Sequence, residues 1–196
     1  MLLSDRFNEA FLYASSLHAR QLRKGSGVPY IAHLMSVAAL VLEDGGDEDE
    51  AIAALLHDAV EDQGGAATRE EIRHRFGERV AEIVDACSDT DVTPKPPWHE
   101  REERYLAHLA QASPSARRIS LADKLHNARS ILADYLIEGE RLWPRFVGRR
   151  DGTLWYYRSL VEEFRRLTPG PRLDELDRLV TELERRCAAA PPAPVP

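Results

Sequence analysis

Apolar residues recur every three or four positions along most of this 196-residue chain. The first such set comprises Leu3, Phe7, Phe11, Ala14 and Leu17. This spacing matches the turn of an α-helix, which brings such positions onto one face. No stretch alternates apolar and polar residues over five or more positions, as a half-buried strand would. The pattern therefore predicts an all-α fold, and the length fits a single domain.

The first three helices are marked by start and stop signals. Ser4 or Asp5 is suited to cap a first helix, which is predicted to run to about Arg23. Pro29 then fits the first position of a second helix, because proline lacks the N–H that the first turn leaves unused. A third helix is predicted over Asp47–Val60. Its middle is apolar nearly all round, so we expect it to be buried.

After the third helix, the helical pattern continues on both sides of a proline-rich loop. Thr68 and Glu71 resemble a capping box at the start of the next helix. The prolines of Ser88–Trp98 exclude a helix there. We assign residues 1–187 to the domain and expect the Ala/Pro-rich tail, 188–196, to be disordered. Further helices are predicted near 99–112, 114–138 and 154–167, and through Leu173–Leu183.

Composition excludes several classes of function. With 26 Lys and Arg against 33 Asp and Glu, the formal net charge is −7, which argues against a general nucleic-acid-binding surface. Cys87 and Cys187 are too few and too far apart for a disulfide framework or a cysteine zinc cluster. The longest apolar run, Ala51–Leu56, is far short of a membrane span, and the N-terminus has no secretory signal pattern. We therefore expect a cytoplasmic protein with neither a membrane nor a nucleic-acid partner; no feature predicts an oligomeric state.

Charged residues interrupt the third helix where it should be most buried. His57, Asp58, Glu61 and Asp62 follow a continuous apolar run within two turns. Burying unpaired charge is costly, so buried charges are normally paired or bound to a metal. Adjacent residues on a helix point about 100° apart, and His57 and Asp58 can therefore flank one point in space.

Two further polar residues interrupt apolar helix faces, His33 and Asp123. Together with His57 and Asp58 they form a mixed imidazole and carboxylate set. Such a set suits Mn²⁺, Fe²⁺, Co²⁺ or Zn²⁺ better than Ca²⁺. Taken singly, each residue is equally well explained as a hydrogen-bonded core histidine or a buried salt-bridge anchor. The combination is what favours a metal site.

Five segments, in this order, resemble the HD superfamily of metal-dependent phosphohydrolases. The resemblance covers about residues 5–135 and is greatest to the small stand-alone alarmone hydrolases and to the hydrolase domain of RelA/SpoT-type enzymes. It implies an HD-type helical bundle. The matching segments are His18–Lys24, Pro29–His33, Ala54–Asp62, Phe76-Gly77 and Leu121–Asn127.

The resemblance also implies roles for individual residues. The metal, most often Mn²⁺ in this family, would be held by His33, His57, Asp58 and Asp123. The catalytic acids would be Glu61 and Asp62. The substrate-binding residues would be Arg23, Lys24, Asn127 and Ser130.

The substrate implied by the resemblance is (p)ppGpp, a guanosine nucleotide that carries a 3′-diphosphate and would be hydrolysed with release of pyrophosphate. Two alternatives remain open. The same chemistry can act on another phosphorylated nucleotide, such as NADPH or a nucleoside phosphate. A non-catalytic helical module can keep a metal or a nucleotide for structure or sensing, although such a module does not require the Glu61-Asp62 pair.

Overall fold

The structure, a computed structural model, describes residues 2–88 and 96–189. In these residues the backbone forms helices and one isolated antiparallel bridge, between Leu22 and Pro29. The predicted all-α class is thereby confirmed. The α-helices are α1 (Asp5–Leu17), α2 (Ile31–Glu43), α3 (Glu48–Leu56), α4 (Ala59–Asp62), α5 (Ala66–Phe76), α6 (Glu78–Cys87), α7 (Trp98–Leu109), α8 (Pro114–Glu138), α9 (Arg149–Leu167) and α10 (Pro171–Ala189), and a 3-10 helix spans Gly139–Arg145.

The chain forms two compact units, Met1–Lys95 with Gln111–Asp123 and Pro96–Ala110 with Lys124–Pro196. In the first unit α3 packs against α1, α2 and α6. Every residue from Ala51 to Leu56 is at most 1% exposed, as the apolar character of this segment predicts. In the second unit α9 packs against α7 and α10.

An ion pair to a buried glutamate fixes α8 to α3 within the first unit. Glu50 is 4% exposed, and the Nη1 group of Arg118 donates to its two carboxylate oxygens at 2.6 and 2.7 Å. Glu50 also closes a capping box: its Oε2 accepts from the N–H of Asp47 at 2.8 Å, while Asp47 accepts from the N–H of Glu50 at 3.0 Å. The start of α3 is therefore capped and tied to a second helix by the same carboxylate.

In the second unit, the indole of Trp98 fills a slot between two glycines of the α9 start. A Cβ atom built on Gly148 would lie 2.5 Å from the ring, and one built on Gly152 would lie 2.9 Å from it. Both distances are too short for carbon atoms in contact. Glycine at these positions is what allows the first residue of α7 to pack on α9.

The first helix ends six residues earlier than predicted. Its last residue is Leu17, because the backbone beyond it makes other hydrogen bonds. The N–H of Tyr30 donates to Gln21 O at 2.9 Å, and the N–H of Arg23 donates to Val28 O at 2.7 Å. These bonds pair the segment before Gly25 with the segment after it, and a helix to Arg23 is incompatible with them.

The capping box predicted at Thr68 is wrong. Helix α5 begins at Ala66, after Gly64 and Gly65 with φ of 128° and 59°, and the Thr68 hydroxyl donates to Gln63 O at 2.7 Å. Glycine tolerates these positive φ angles, and the chain turns into the helix directly after them. Thr68 therefore lies inside the first turn of α5 and not at its cap position.

The predicted loop and tail lie largely outside the described residues. Ser88 caps the end of α6 and Trp98 opens α7, but residues 89–95 are not among those described. Ala188 and Ala189, expected in a disordered tail, are part of α10. Residues 190–196 lie outside the described part.

Candidate metal centre

His57 and Asp58 lie at a break between two helices. The prediction of one helix over Asp47–Val60 is wrong at this point, since α3 ends at Leu56 and α4 begins at Ala59. The imidazole of His57 is 4% exposed, and its Nδ1 lies 2.8 Å from Ala54 O. Because a carbonyl oxygen only accepts, Nδ1 carries the hydrogen and the lone pair of neutral His57 is on Nε2.

Four side chains from separate parts of the first unit converge on this break. His33 Nε2, on α2, is 3.2 Å from Asp123 Oδ1, on α8, and 3.7 Å from Asp58 Oδ2. His57 Nε2 is 3.1 Å from Asp58 Oδ2 and 3.9 Å from Asp123 Oδ1. The two imidazole rings have centroids 5.3 Å apart. The structure thus brings together all four residues that the sequence singled out as ligands.

The donor set fits a divalent cation. His57 Nε2 is buried without a hydrogen-bond partner among the described residues. One nitrogen of each histidine and one oxygen of Asp58 all lie within 4.8 Å of one another. Ligand atoms about 2.0–2.2 Å from one ion are at most about 4.4 Å apart, so small side-chain adjustments suffice. Two imidazoles with two carboxylates suit a borderline divalent metal.

The four groups also perturb one another's protonation. Burial lowers the pKa of His33, although Asp123 opposes this effect. Burial acts in the same sense on His57, but the carboxylates of Asp58 and Asp123 outweigh it and raise its pKa to about 9. Burial would raise the pKa of Asp58, yet its contact with His57 lowers it to about 2. The carboxylates therefore favour a positive charge at this point, which a metal ion can supply in place of a proton.

Tyr30 holds Asp58 from outside the ligand set. Its hydroxyl donates to Asp58 Oδ2 at 2.6 Å, and burial together with Asp58 raises the pKa of Tyr30, so it remains a donor. The Tyr30 ring stacks on His18 at 5.2 Å between centroids and meets His33 edge-on at 5.5 Å. No role was assigned to Tyr30 from the sequence, although this residue lies within the matching segment Pro29–His33.

The acidic pair lies on the short helix after the break. Both Glu61 and Asp62 are exposed. Asp62 Oδ2 accepts a 2.7 Å hydrogen bond from Gln21 Nε2. Although the residue as a whole is exposed, partial desolvation of the Asp62 carboxyl raises its pKa in spite of that bond. A cavity of about 250 Å³ opens beside this carboxylate, and its lining comprises Leu17, Arg20, Gln21, Asp62 and Gln63.

Arg23 and Lys24 lie in the turn between α1 and α2, where a helix end was predicted. The guanidinium carbon of Arg23 is 6.0 Å from the centroid of the Tyr30 ring, and Lys24 is exposed. This contact places the Arg23 charge next to the side chain that holds Asp58.

Asn127 and Ser130 follow Asp123 on α8 and belong to the second unit. Both are partly buried, and the Ser130 hydroxyl donates to His126 O at 3.1 Å within its own helix. A larger cavity, of about 530 Å³, also lies in the second unit, between Glu140 and Asp151, and none of the predicted site residues lines it.

Among the described residues, no helix is long and apolar enough to cross a membrane.

These features define a class: an all-α protein in which two imidazoles and two carboxylates meet at one point and offer a donor set for a divalent metal. The chain belongs to the HD domain family, whose sequence profile matches residues 10–153. A divalent metal is expected for an HD domain, and His33, His57 and Asp58 provide a possible site for it.

Relatives and solved structures agree with this membership. A guanosine-3′,5′-bis(diphosphate) 3′-pyrophosphohydrolase MESH1 of Xenopus tropicalis is 40% identical over 126 residues, 63% of this chain and 68% of that protein. An Aquifex aeolicus protein of the same enzymatic name is 34% identical over 128 residues, 65% of this chain and 18% of that protein. A solved structure described as a metazoan ortholog of SpoT that hydrolyses ppGpp has a TM-score of 0.78 and 28% identity, covering 93% of this chain and 97% of that one.

Proposed function

We propose that this protein is a Mn²⁺-dependent (p)ppGpp 3′-pyrophosphohydrolase. In this reaction water attacks the phosphorus bonded to the 3′ oxygen, the bond between them breaks, and ppGpp yields GDP and pyrophosphate. The observation that carries the proposal is the convergence of His33, His57, Asp58 and Asp123 on one point. The relatives named as pyrophosphohydrolases of this substrate support it.

His33, His57, Asp58 and Asp123 would hold the metal, and Mn²⁺ matches their mixed nitrogen and oxygen donors. When bound, such an ion polarises phosphoryl oxygens and lowers the pKa of coordinated water. Two of these proposed ligands are oriented by the protein itself. The carbonyl oxygen of Ala54 fixes the tautomer of His57, and the Tyr30 hydroxyl donates to the Asp58 carboxylate.

Glu61 and Asp62 are the proposed catalytic acids. Asp62 lies beside a cavity and has a raised pKa, properties that suit a group that orients water or moves a proton. Glu61 precedes Asp62 on α4, and its side chain is also exposed to solvent.

The substrate-binding residues are proposed to be Arg23, Lys24, Asn127 and Ser130. Arg23 and Lys24 place two positive charges on the turn next to Tyr30, where they would neutralise phosphate oxygens. Asn127 can donate to and accept from a ribose or a base, and Ser130 offers a hydroxyl. A nucleotide substrate is consistent with the cytoplasmic location expected from the sequence.

The test is an assay of the purified protein with Mn²⁺ against ppGpp, NADPH and GTP. We expect GDP and pyrophosphate from ppGpp, without comparable turnover of the other two. Phosphate release from NADPH alone would favour the alternative substrate class, and no turnover of any nucleotide would favour a non-catalytic module.

A matched pair of variants ties any activity to the metal centre. Asp58→Ala removes a proposed ligand and should abolish turnover. The carboxylate that lies next to both His33 Nε2 and His57 Nε2 is then missing from the donor set. Glu70→Ala, an acid on the surface of α5, should leave it unchanged. Undiminished turnover in Asp58→Ala would refute the assignment.

A further inference from the structure

Gln21 connects the proposed catalytic acid to the side chains that support the metal centre. Its Nε2 donates to Asp62 Oδ2 at 2.7 Å. Its Oε1 lies 2.7 Å from His18 Nδ1 and accepts from Gln63 Nε2 at 2.5 Å. Three different elements therefore meet at one amide: the end of α1, the turn after it and the end of α4.

The orientation of this amide follows from the chemistry of its partners. An ionised carboxylate only accepts, so the NH₂ group of Gln21 must face Asp62 and the oxygen must face His18. The His18 nitrogen nearest that oxygen must then carry a hydrogen. Two donors, on His18 and Gln63, thus hold the Gln21 oxygen and leave its NH₂ group directed at Asp62.

The same cluster reaches the metal ligands. His18 is 2% exposed and stacks on Tyr30, whose hydroxyl donates to Asp58. Asp62 and Asp58 are therefore held by hydrogen bonds from neighbouring members of one packed group. The cavity of about 250 Å³ shows that the held Asp62 carboxylate still faces open space in which a ligand can be accommodated.

We infer that Gln21 is a positioning residue, which fixes the direction of the Asp62 carboxylate towards this cavity during hydrolysis. The inference rests on the proposed function and adds to it a residue that acts through the Asp62 carboxylate. A carboxylate on a four-residue helix at the surface would otherwise sample several rotamers, and correct orientation is a large part of acid–base catalysis.

The charges that face Asp62 predict how loss of Gln21 changes its titration. Asp58 and Glu61 raise its pKa, His18 lowers it, and Arg20 lines the same cavity. The hydrogen bond from Gln21 is the strongest influence that favours the ionised form. Removing it should therefore raise the pKa of Asp62.

The experiment compares Gln21→Leu and Gln21→Glu with the wild type, using ppGpp and saturating Mn²⁺. We expect kcat to fall by roughly tenfold in Gln21→Leu, the effect of one hydrogen bond to a charged group, with KM and Mn²⁺ affinity within twofold of wild type. Gln21→Glu should fall further, because it sets a second carboxylate against Asp62. The limb of the kcat–pH profile that reports Asp62 should move to higher pH in both.

Two controls separate positioning from folding. In an Asp62→Asn background, Gln21→Leu should cause no further loss of kcat, whereas a purely structural defect would still add one. Ser16→Ala, a polar change on the same helix end that leaves Asp62 untouched, should retain wild-type kcat.

The inference is overturned if kcat of Gln21→Leu stays within twofold at every pH, or if its loss is matched by an equal loss of Mn²⁺ affinity. A carbon-detected NMR titration of the Asp62 carboxyl, compared in wild type and Gln21→Leu, gives a readout independent of turnover. If that titration shifts to higher pH but wild type does not cleave ppGpp, the proposed function fails and the contact between Gln21 and Asp62 stands.

Discussion

At the scale of single residues, Oδ2 of Asp58 is the atom through which Tyr30 contacts the proposed ligand set. Oδ2 accepts from the Tyr30 hydroxyl and lies 3.1 Å from His57 Nε2. The tyrosine therefore restrains the carboxylate of this proposed metal ligand. Hydrogen bonds of this kind to a ligand typically raise metal affinity by about 10- to 100-fold.

Tyr30→Phe should accordingly weaken Mn²⁺ binding by at least roughly tenfold, because it removes the donor and keeps the ring that packs on His18. Calorimetric titration with Mn²⁺ measures the change. Tyr13→Phe, in the same unit but beside Arg75 and Phe76, is the matched control and should bind Mn²⁺ as wild type does. Equal affinities of wild type and Tyr30→Phe would contradict the proposed support.

The ligand residues could be selected from sequence because each breaks an apolar helix face. His33, His57 and Asp123 are polar groups where a hydrophobic residue is expected, and such groups need a partner. Gln21 and Tyr30 could not be selected in this way. They lie in or next to a turn, where polar residues are ordinary, and only the packed structure shows what they hold.

At the scale of helices, Asp47 supports α3 through its cap. Its side chain accepts from the N–H of Glu50 and from Arg79 Nη2 at 2.6 Å. The bond from Arg79, followed by the bonds from the cap N–H groups, lowers the pKa of Asp47 although burial opposes this. Protonation of the carboxyl is thus less favourable in the folded chain than in the unfolded one.

Asp47→Ala should lower the free energy of unfolding at pH 7 by about 1 kcal/mol, the usual contribution of an N-cap. Since the folded pKa is lowered, the stabilisation is complete above the unfolded value, about 3.9, and is lost as the pH falls through the folded value. Urea unfolding at pH 7 and at pH 3 measures both effects. Asp47→Asn keeps a cap acceptor and should show a smaller loss at pH 7. That loss should also shrink at pH 3, because the titrating carboxyl is absent from both variants. A larger difference at pH 3 than at pH 7 would contradict the account.

The packing of α7 on α9 predicts an unusual effect of alanine in a helix. Gly152→Ala should destabilise the protein by about 1–2 kcal/mol, because the new methyl overlaps the Trp98 ring. In a Trp98→Ala background the same change should stabilise by up to about 1 kcal/mol, since alanine is the better helix former. Thermal unfolding of the four proteins in this cycle provides the test, and an effect of the same sign in both backgrounds would rule out the steric explanation.

Helix bounds were predictable where a long apolar periodicity began at a proline. The bounds Pro114–Glu138 of α8 match the prediction, as a proline start and a long apolar stripe allow. At α1, α3 and α5 tertiary hydrogen bonds or glycine φ angles override local signals. Two starts also differ, since α2 begins at Ile31 where Pro29 was predicted and α9 begins at Arg149 where residue 154 was predicted. The break at His57 and Asp58 was not predictable, because both residues are tolerated inside a helix.

At the scale of the whole molecule, the candidate metal centre brings together residues that are far apart in sequence. His33 and Asp123 are 3.2 Å apart although ninety positions separate them along the chain. The family profile covers residues 10–153, and the extension of the domain to residue 187 stays a prediction.

A metal that binds only the folded first unit should raise its thermal stability. At a free Mn²⁺ concentration a hundredfold above Kd, the gain is about 2.7 kcal/mol. For a protein of this size that corresponds to a rise in Tm of about 5–10 °C. Differential scanning calorimetry with Mn²⁺, and after its removal with EDTA, measures the rise. Asp58→Ala should show little of it, and an equal rise in that variant would locate the ion elsewhere.

The pairing of Arg118 with Glu50 has a consequence for how the cation arrives. Arg118 precedes Asp123 by five residues on α8. Glu50 on α3 precedes His57, which directly follows that helix, by seven residues. The ion pair therefore sets the register between the two helices from which these proposed ligands extend. A single-residue insertion between Arg118 and Asp123 would rotate the Asp123 side chain by about 100° around the helix axis, away from the other proposed ligands. The proposed ligands are thus brought together when the chain folds, and a cation that binds there is expected to require almost no further ordering of the backbone.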